Sequence, residues 1–195
     1  MLLKSDLRKI IKKKINDALA TKELDREKES LRICRDLLTS DFYKKAEAIF
    51  AYMALNDEVC LDFLLKNAFK DGKKVFVPKC DGQSQNDGIM AFYEIKNFNE
   101  TSAGYMGILE PEIKDYNSLQ DKYLNSSAMV LVPGRAFTLS GLRLGRGKGF
   151  YDKYFARHCQ NKNESLVIAG VCFPQQIVDE IPVDKNDFKM DCIFF

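Results

Sequence analysis

Apolar residues first recur at helical spacing. Leu7, Ile10, Ile11, Ile15, Ala18 and Leu19 mark one amphipathic helix, with Ser5 as its expected N-cap. A second follows, with Leu24, Leu31, Cys34 and Leu38 on one face and its many charges on the other. The pattern then shortens. Ala48 to Met53 is a nearly continuous apolar run of the kind found in buried strands. Leu61, Leu64, Leu65, Ala68 and Phe69 return to helical spacing, Gly72 stands where a C-terminal cap belongs, and Lys74 to Pro78 reads as the next strand. This strand–helix–strand order implies a right-handed parallel crossover. Further strands are expected at Ile89–Ile95, Ala128–Pro133, Leu166–Cys172 and Cys192–Phe195, with a helix from about Phe150 to Cys159. Gly104, Gly107 and Pro111 mark Lys96–Asn125 as a long ordered loop. The expected architecture is a single α/β domain over residues 1–195, with a mostly parallel central sheet flanked by helices, two of them N-terminal.

Composition narrows the function. The formal net charge of +2 in 195 residues argues against a dedicated nucleic-acid binder. The six cysteines, at 34, 60, 80, 159, 172 and 192, form no C-x-x-C pair. They read as reduced thiols of a cytoplasmic protein. His158 is the only histidine and reads as a surface residue near a helix end, so a polyhistidine metal site is excluded. No apolar run is long enough to span a bilayer, and the N-terminus turns charged at once, unlike a signal peptide. A soluble, cytoplasmic protein without a membrane partner is the expectation.

The chemistry concentrates in Gly145-Arg146-Gly147-Lys148-Gly149, placed directly before a helix. Glycines let backbone amides approach a ligand, a helix N-terminus adds free N–H groups, and Arg146 and Lys148 supply charges suited to phosphate oxygens. The segment reads as a polyphosphate cradle. It is neither a P-loop, since Lys148 is followed by Gly149, nor a dinucleotide fingerprint, since its glycines alternate strictly. Taken alone, it also fits an RNA contact or a flexible turn.

Its surroundings are more specific. Pro133-Gly-Arg-Ala-Phe137, then Gly141-Leu-Arg-Leu-Gly-Arg-Gly-Lys-Gly149, then Phe150-Tyr151-Asp152, resemble the signature of the 5-formyltetrahydrofolate cyclo-ligases, or 5,10-methenyltetrahydrofolate synthetases. The resemblance runs over nearly the whole chain. It takes in Lys4 to Arg8, Asp57-Glu58, Gly107 to Pro111, Ile181-Pro-Val183 and Lys189-Met-Asp191. Thr138 stands where the family usually has Asp, and Phe150 where it often has Tyr.

This resemblance implies an ATP-dependent enzyme that cyclises 5-formyltetrahydrofolate to 5,10-methenyltetrahydrofolate with release of ADP and phosphate. It implies ATP contacts at Lys4, Arg8, Arg143, Gly145, Arg146, Gly147, Lys148, Gly149, Phe150 and Tyr151. Folate contacts are implied at Met53, Glu58, Arg146, Gly147, Lys148, Gly149 and Phe150, with Lys148 and Arg146 as the catalytic cations. Asp152 and Asp191 are the implied Mg²⁺ ligands, and a monomer acting on these two small molecules is expected. Each residue also has a plainer reading. Lys4 and Arg8, four apart, could be a solvated helix face; Glu58 and Asp152, helix-terminal acids; Met53 and Tyr151, core. Two rivals stay open: an RNA-binding protein, and another sugar-phosphate or acyl-transfer enzyme on a similar fold.

Overall fold

The computed structural model describes residues 2–80, 90–104, 108–112, 120–159, 162–185 and 187–195. Three helices open the chain: α1 (Lys4–Ala20), α2 (Arg26–Thr39) and α3 (Asp41–Lys45). The strands β1 (Ala48–Phe50), β2 (Lys74–Cys80) and β3 (Met90–Ile95) follow, with α4 (Asp62–Lys70) between β1 and β2. Two short strands, β4 (Thr101–Ala103) and β5 (Leu109–Pro111), pair antiparallel apart from the main sheet. After α5 (Gln120–Leu124) come β6 (Ala128–Pro133), a small hairpin of β7 (Ala136–Phe137) and β8 (Arg143–Leu144), α6 (Phe150–His158), β9 (Leu166–Val171) and β10 (Cys192–Phe194).

The central sheet has the order β10-β9-β6-β1-β2-β3 and is parallel except for β3, which runs antiparallel to β2 at the edge. Its strands are apolar on both faces, as a sheet covered on both sides requires. Ile49, Val75, Met129 and Leu131 point into one core with residues of α1, α2 and α4. Phe50, Phe76, Val130 and Val132 point into the other, with Tyr154 and Phe155 of α6. There the rings of Phe50 and Phe76 stack at 4.6 Å and Phe92 meets Phe50 edge-on at 5.3 Å. Pro78 is tolerated in β2 because β1 pairs only with Lys74–Phe76, leaving no partner on that side for the missing N–H.

Several expectations shift by a turn or a face. Leu3, not Ser5, is the N-cap of α1, with extended backbone and no side-chain bond; Ser5 is already helical. Within α1 the buried residues are Ile11, Ile15 and Ala18, while Ile10 is exposed. In α2 the buried face is Ser30, Ile33, Cys34 and Leu37, with Leu31 and Leu38 at its margin. The cap at Gly72 is as expected. With φ +70°, it closes α4 through Gly72 N to Phe69 O (3.2 Å) and Lys73 N to Ala68 O (3.0 Å). The Lys96–Asn125 stretch is less of a loop than its glycines imply, since its described part holds β4, β5 and α5. Ile89, Gly107 and the polar run 81–88 lie outside the described residues. His158 ends α6 as expected, but is half-buried, packed at a tilt against the Tyr154 ring and bonded to Asp121 at 2.9 Å. Among the described residues no helix is long and apolar enough to cross a membrane.

Candidate active site

The chain leaves β1 toward β2 on one side and leaves β6 toward β9 on the other. In parallel sheets such a reversal opens a crevice at the carboxyl ends of the two strands, and ligands bind there. A cleft of about 520 Å³ occupies this place, within the usual range for small-molecule sites. Its walls come from the segment after β1, the end of β2, the glycine-rich segment after β6, the start of α1 and the stretch near Asp184.

On the wall after β6, the β7–β8 hairpin first turns the chain back. Thr138 is buried and its hydroxyl accepts from Leu142 N at 3.0 Å, closing the turn. This is an acceptor task an Asp carboxylate could also perform. The glycine loop then runs from Gly145 to Gly149, where α6 begins. Gly147 has φ +108° and Gly149, the N-cap of α6, has φ +70°, both conformations that favour glycine. Gly149 brings no side chain to cap the first turn, so the N–H groups at that end have no side-chain acceptor from it. Lys148 is exposed and makes no ion pair among the described residues. Across from it, Arg8 of α1 donates from Nε to the Gly145 carbonyl at 2.8 Å, fixing helix and loop together.

Opposite lies the acidic loop after β1. Arg26 of α2 holds it by the carbonyls of Glu58 (3.0 Å) and Leu55 (3.1 Å). Glu58 is buried, with one carboxylate oxygen accepting from Leu55 N at 2.9 Å. The other accepts from Arg146 Nε at 2.8 Å and lies 2.6 Å from a terminal nitrogen of the same guanidinium, an ion-pair contact. Arg146 also donates to Asp57 at 2.6 Å, and the second Asp57 oxygen is bound by Arg135. Burial opposes the charge on Arg146, but Glu58 and Asp57 outweigh it and raise its pKa. Burial likewise opposes the Asp57 charge, but Arg146 and Arg135 outweigh it and hold its carboxyl below the ordinary 3.8. Lys4 is paired with Asp184 at 2.7 Å and Asp187 at 2.5 Å.

At the cleft floor Arg143 is buried, bonded to Asp152 at 2.9 Å and set over the Tyr151 ring at 5.5 Å. Two buried polar atoms here have no partner among the described residues, Arg143 Nε and the Tyr151 hydroxyl. Such atoms in a ligand-sized cleft mark places where a ligand or water completes the bonding.

Lys4, Arg8, Met53, Glu58, Arg143, Gly145, Arg146, Gly147, Lys148, Gly149, Phe150, Tyr151 and Asp152 all line this one cleft. Asp191 does not. It sits before β10, beside the middle of β9, and its carboxylate is taken up by Ile168 N (2.7 Å) and by Lys162. The expected pairing of Asp152 with Asp191 is therefore not assembled. Met53 and Tyr151 unite both readings, since each packs with a core and still faces the cleft. The sequence gives little sign of Arg135, Arg26, Asp184 or Asp187, because each acts through a partner remote in the chain. Arg135 alone carries a local hint, as a charge just past a buried strand.

A sequence model of the 5-formyltetrahydrofolate cyclo-ligase family matches residues 2–195. The chain belongs to that family. Among cyclo-ligase relatives, the mouse 5-formyltetrahydrofolate cyclo-ligase is 28% identical over 98% of this chain and 93% of its own length. A probable 5-formyltetrahydrofolate cyclo-ligase of Schizosaccharomyces pombe is 30% identical over 98% of this chain and 94% of its own. The solution structure of Aquifex aeolicus 5,10-methenyltetrahydrofolate synthetase superimposes with a TM-score of 0.76 and 26% identity, covering 98% of this chain and 89% of that one. The synthetase of Mycoplasma pneumoniae, at 20% identity and a TM-score of 0.65, shares the fold. The α/β architecture is thus the cyclo-ligase fold, and the chain is a member of a family of ligases.

Proposed function

We propose that this enzyme couples ATP cleavage to the cyclisation of 5-formyltetrahydrofolate, yielding 5,10-methenyltetrahydrofolate, ADP and phosphate. The observation that carries the reading is the opposition of two loops across one cleft. The cationic glycine loop leads into the N-terminus of α6, and Glu58 faces it from the end of β1. The first suits a polyphosphate and the second the N–H edge of a pterin ring.

In this reading the formyl oxygen attacks the γ-phosphorus and ADP leaves, giving an N5-iminium phosphate. N10 then adds to the formyl carbon, the carbon–oxygen bond to phosphate breaks, and the N10 proton is lost. No covalent protein nucleophile is needed; alignment and charge neutralisation carry the work. Lys148 and Arg146 stabilise charge on the transferring phosphoryl group, Arg8 and Lys4 orient the polyphosphate, and Arg143 braces Tyr151 and Asp152 beneath it. Glu58 and Met53 hold the pterin.

Asp152 suits a Mg²⁺ ion that takes its remaining ligands from phosphate and water. It lines the cleft, and its Oδ2 has no hydrogen bond among the described residues. Among those residues no cluster of three or more metal-binding side chains occurs, so an all-protein cage is not the donor set on offer. The ion would supply charge neutralisation on the phosphates. We place the enzyme in the cytoplasm as a monomer; its six unpaired thiols fit a reducing compartment.

The test is direct. The pure protein with ATP, Mg²⁺ and 5-formyltetrahydrofolate should form methenyltetrahydrofolate and ADP in equal amounts. ATP hydrolysis that proceeds equally without the folate would overturn the assignment.

A further inference from the structure

Arg146 and Glu58 each have a part in the proposed reaction, yet in the structure they are spent on each other. Arg146 Nε donates to one Glu58 oxygen at 2.8 Å, and a terminal nitrogen of the same guanidinium lies 2.6 Å from that oxygen. The other Glu58 oxygen is held by Leu55 N. A pterin N–H edge and the Arg146 guanidinium thus compete for one carboxylate. The guanidinium is not there by chance contact. Asp57 binds it from the side at 2.6 Å, and Asp57 is itself fixed by Arg135 on its second oxygen. The side chains of Arg135 and Asp57 are 13% and 15% exposed, so this chain of pairs is mostly shielded from water, where ion pairs matter more than on a surface. The loop that carries both acids cannot simply drift away, since Arg26 clamps its carbonyls.

The acidic loop is clamped by Arg26 and the glycine loop is tied by Arg8 at the Gly145 carbonyl (2.8 Å), so the Arg146 side chain is the partner left to turn. Arg146 stands between Gly145 and Gly147, the latter with φ +108°, so the backbone flanking it has conformations closed to other residues. It also lies on the loop where a polyphosphate would bring competing negative charge. We propose that Arg146 is a gate shared by the two substrates: docked on Glu58 by Asp57, which Arg135 anchors, it leaves Glu58 for the nucleotide's phosphates and so opens the pterin position. Asp57 is a positioning residue in this scheme. The inference rests on the function proposed above and adds to it a coupling: nucleotide binding tightens folate binding. Linkage requires that folate tighten nucleotide binding by the same factor.

Calorimetric titration of the full chain with 5-formyltetrahydrofolate tests it, with and without Mg²⁺ and a non-hydrolysable ATP analogue. The analogue should tighten folate binding by at least about fivefold, the lower end of typical coupling between sites. In Arg146→Met, which keeps an unbranched apolar stem but removes the guanidinium, folate alone should bind at least as tightly as it does to the natural chain. The analogue should then bring little further gain. Asp57→Asn should show reduced coupling. Equal folate affinity with and without the analogue in the natural chain overturns the gate, and needs no variant to fold. Weaker folate binding by a folded Arg146→Met protein also overturns it, since Arg146 would then be a plain folate contact. Full coupling in Asp57→Asn overturns the positioning role. Failure of the natural chain to bind either ligand overturns the activity and the gate with it, whereas binding of both without coupling overturns the gate alone.

Discussion

Replacing Lys148 by alanine separates a catalytic cation from a loop charge. Its neighbours Gly147 and Gly149, at φ +108° and +70°, set the backbone of the loop without help from the lysine side chain. That side chain is exposed and bonded to none of the described residues, so its removal leaves no buried partner unsatisfied. A surface change of this kind should move stability by no more than about 0.5 kcal/mol. The expected loss in catalysis is much larger. A preorganised donor aimed at charge that develops in the transition state is worth roughly 10²–10³ in kcat, or about 2.7–4 kcal/mol. The assay is steady-state turnover of 5-formyltetrahydrofolate with saturating ATP and Mg²⁺, paired with a thermal melt. Lys148→Arg should recover only part of the loss, because guanidinium is larger and forks where ammonium is a compact charge. A variant that melts normally and turns over within a few-fold of the natural chain would refute the reasoning and move the phosphoryl role to Arg146.

Glu58→Gln should raise the folate KM by about 10- to 150-fold, the loss of a charge-assisted hydrogen bond of roughly 1.5–3 kcal/mol, without weakening ATP binding, since Arg146 is released to phosphate; equal losses for both substrates would return Glu58 to a structural role. Gly141→Ala should destabilise the fold by at least about 1–3 kcal/mol, read from denaturant unfolding, because Gly141 has φ +94° and a Cβ there would strike the Met190 carbonyl. Cys80 lines the cleft with its thiol pushed up to about 11 by burial, so alkylation at neutral pH should be slow and rise about tenfold per pH unit up to that value. Asp57 has a lowered folded pKa, so its stabilising share is present above the unfolded carboxylate value of about 3.9 and is lost as pH falls below it. The difference in melting temperature between the natural chain and Asp57→Asn should therefore shrink between pH 6 and pH 3, and a constant difference would count against that charge pairing.

Runs with strong periodicity were legible in the sequence and those set by distant partners were not. Ala128–Pro133 is a strand because six consecutive apolar residues can be buried only between two covered faces, and β6 has those bounds. The Gly72 cap was readable for the same local reason, since only a residue at ease with φ > 0 completes that turn. The α1 start was not. Lys4 enters the helix while its ammonium is held by Asp184 and Asp187, a contact across 180 or more positions that no N-cap rule contains. The short β4–β5 and β7–β8 pairs carry too few residues for periodicity to register. Glycine-loop chemistry was legible because charge and backbone freedom coincide within five residues. That Asp191 stands apart from the cleft was not legible, because a family pattern gives order along the chain without depth in the sheet. β10 enters the sheet beside Ala169, so the residue before it lies short of the carboxyl edge, where Ile168 N and Lys162 take its oxygens.

The net charge of +2 understates what the cleft can do with an anion, because charges there are arranged in two classes. Arg146 and Lys4 are each held by two carboxylates, and Arg143 by one. Among the described residues Lys148 has no acidic partner and Arg8 donates to a neutral carbonyl alone. A polyphosphate approaching the N-terminus of α6 therefore meets Lys148 and Arg8 at full strength. It meets the paired cations only by exchanging one carboxylate partner for another. The first class sets where the anion binds. In the proposed scheme the second converts binding into rearrangement, because each cation that turns to phosphate leaves an acid behind. For Arg146 the acid left behind is Glu58, which faces the place of the second substrate. On the proposed gate, opposed loops at a strand crossover do more than supply two half-sites: the ion pair between them makes the occupancy of one half bear on the other.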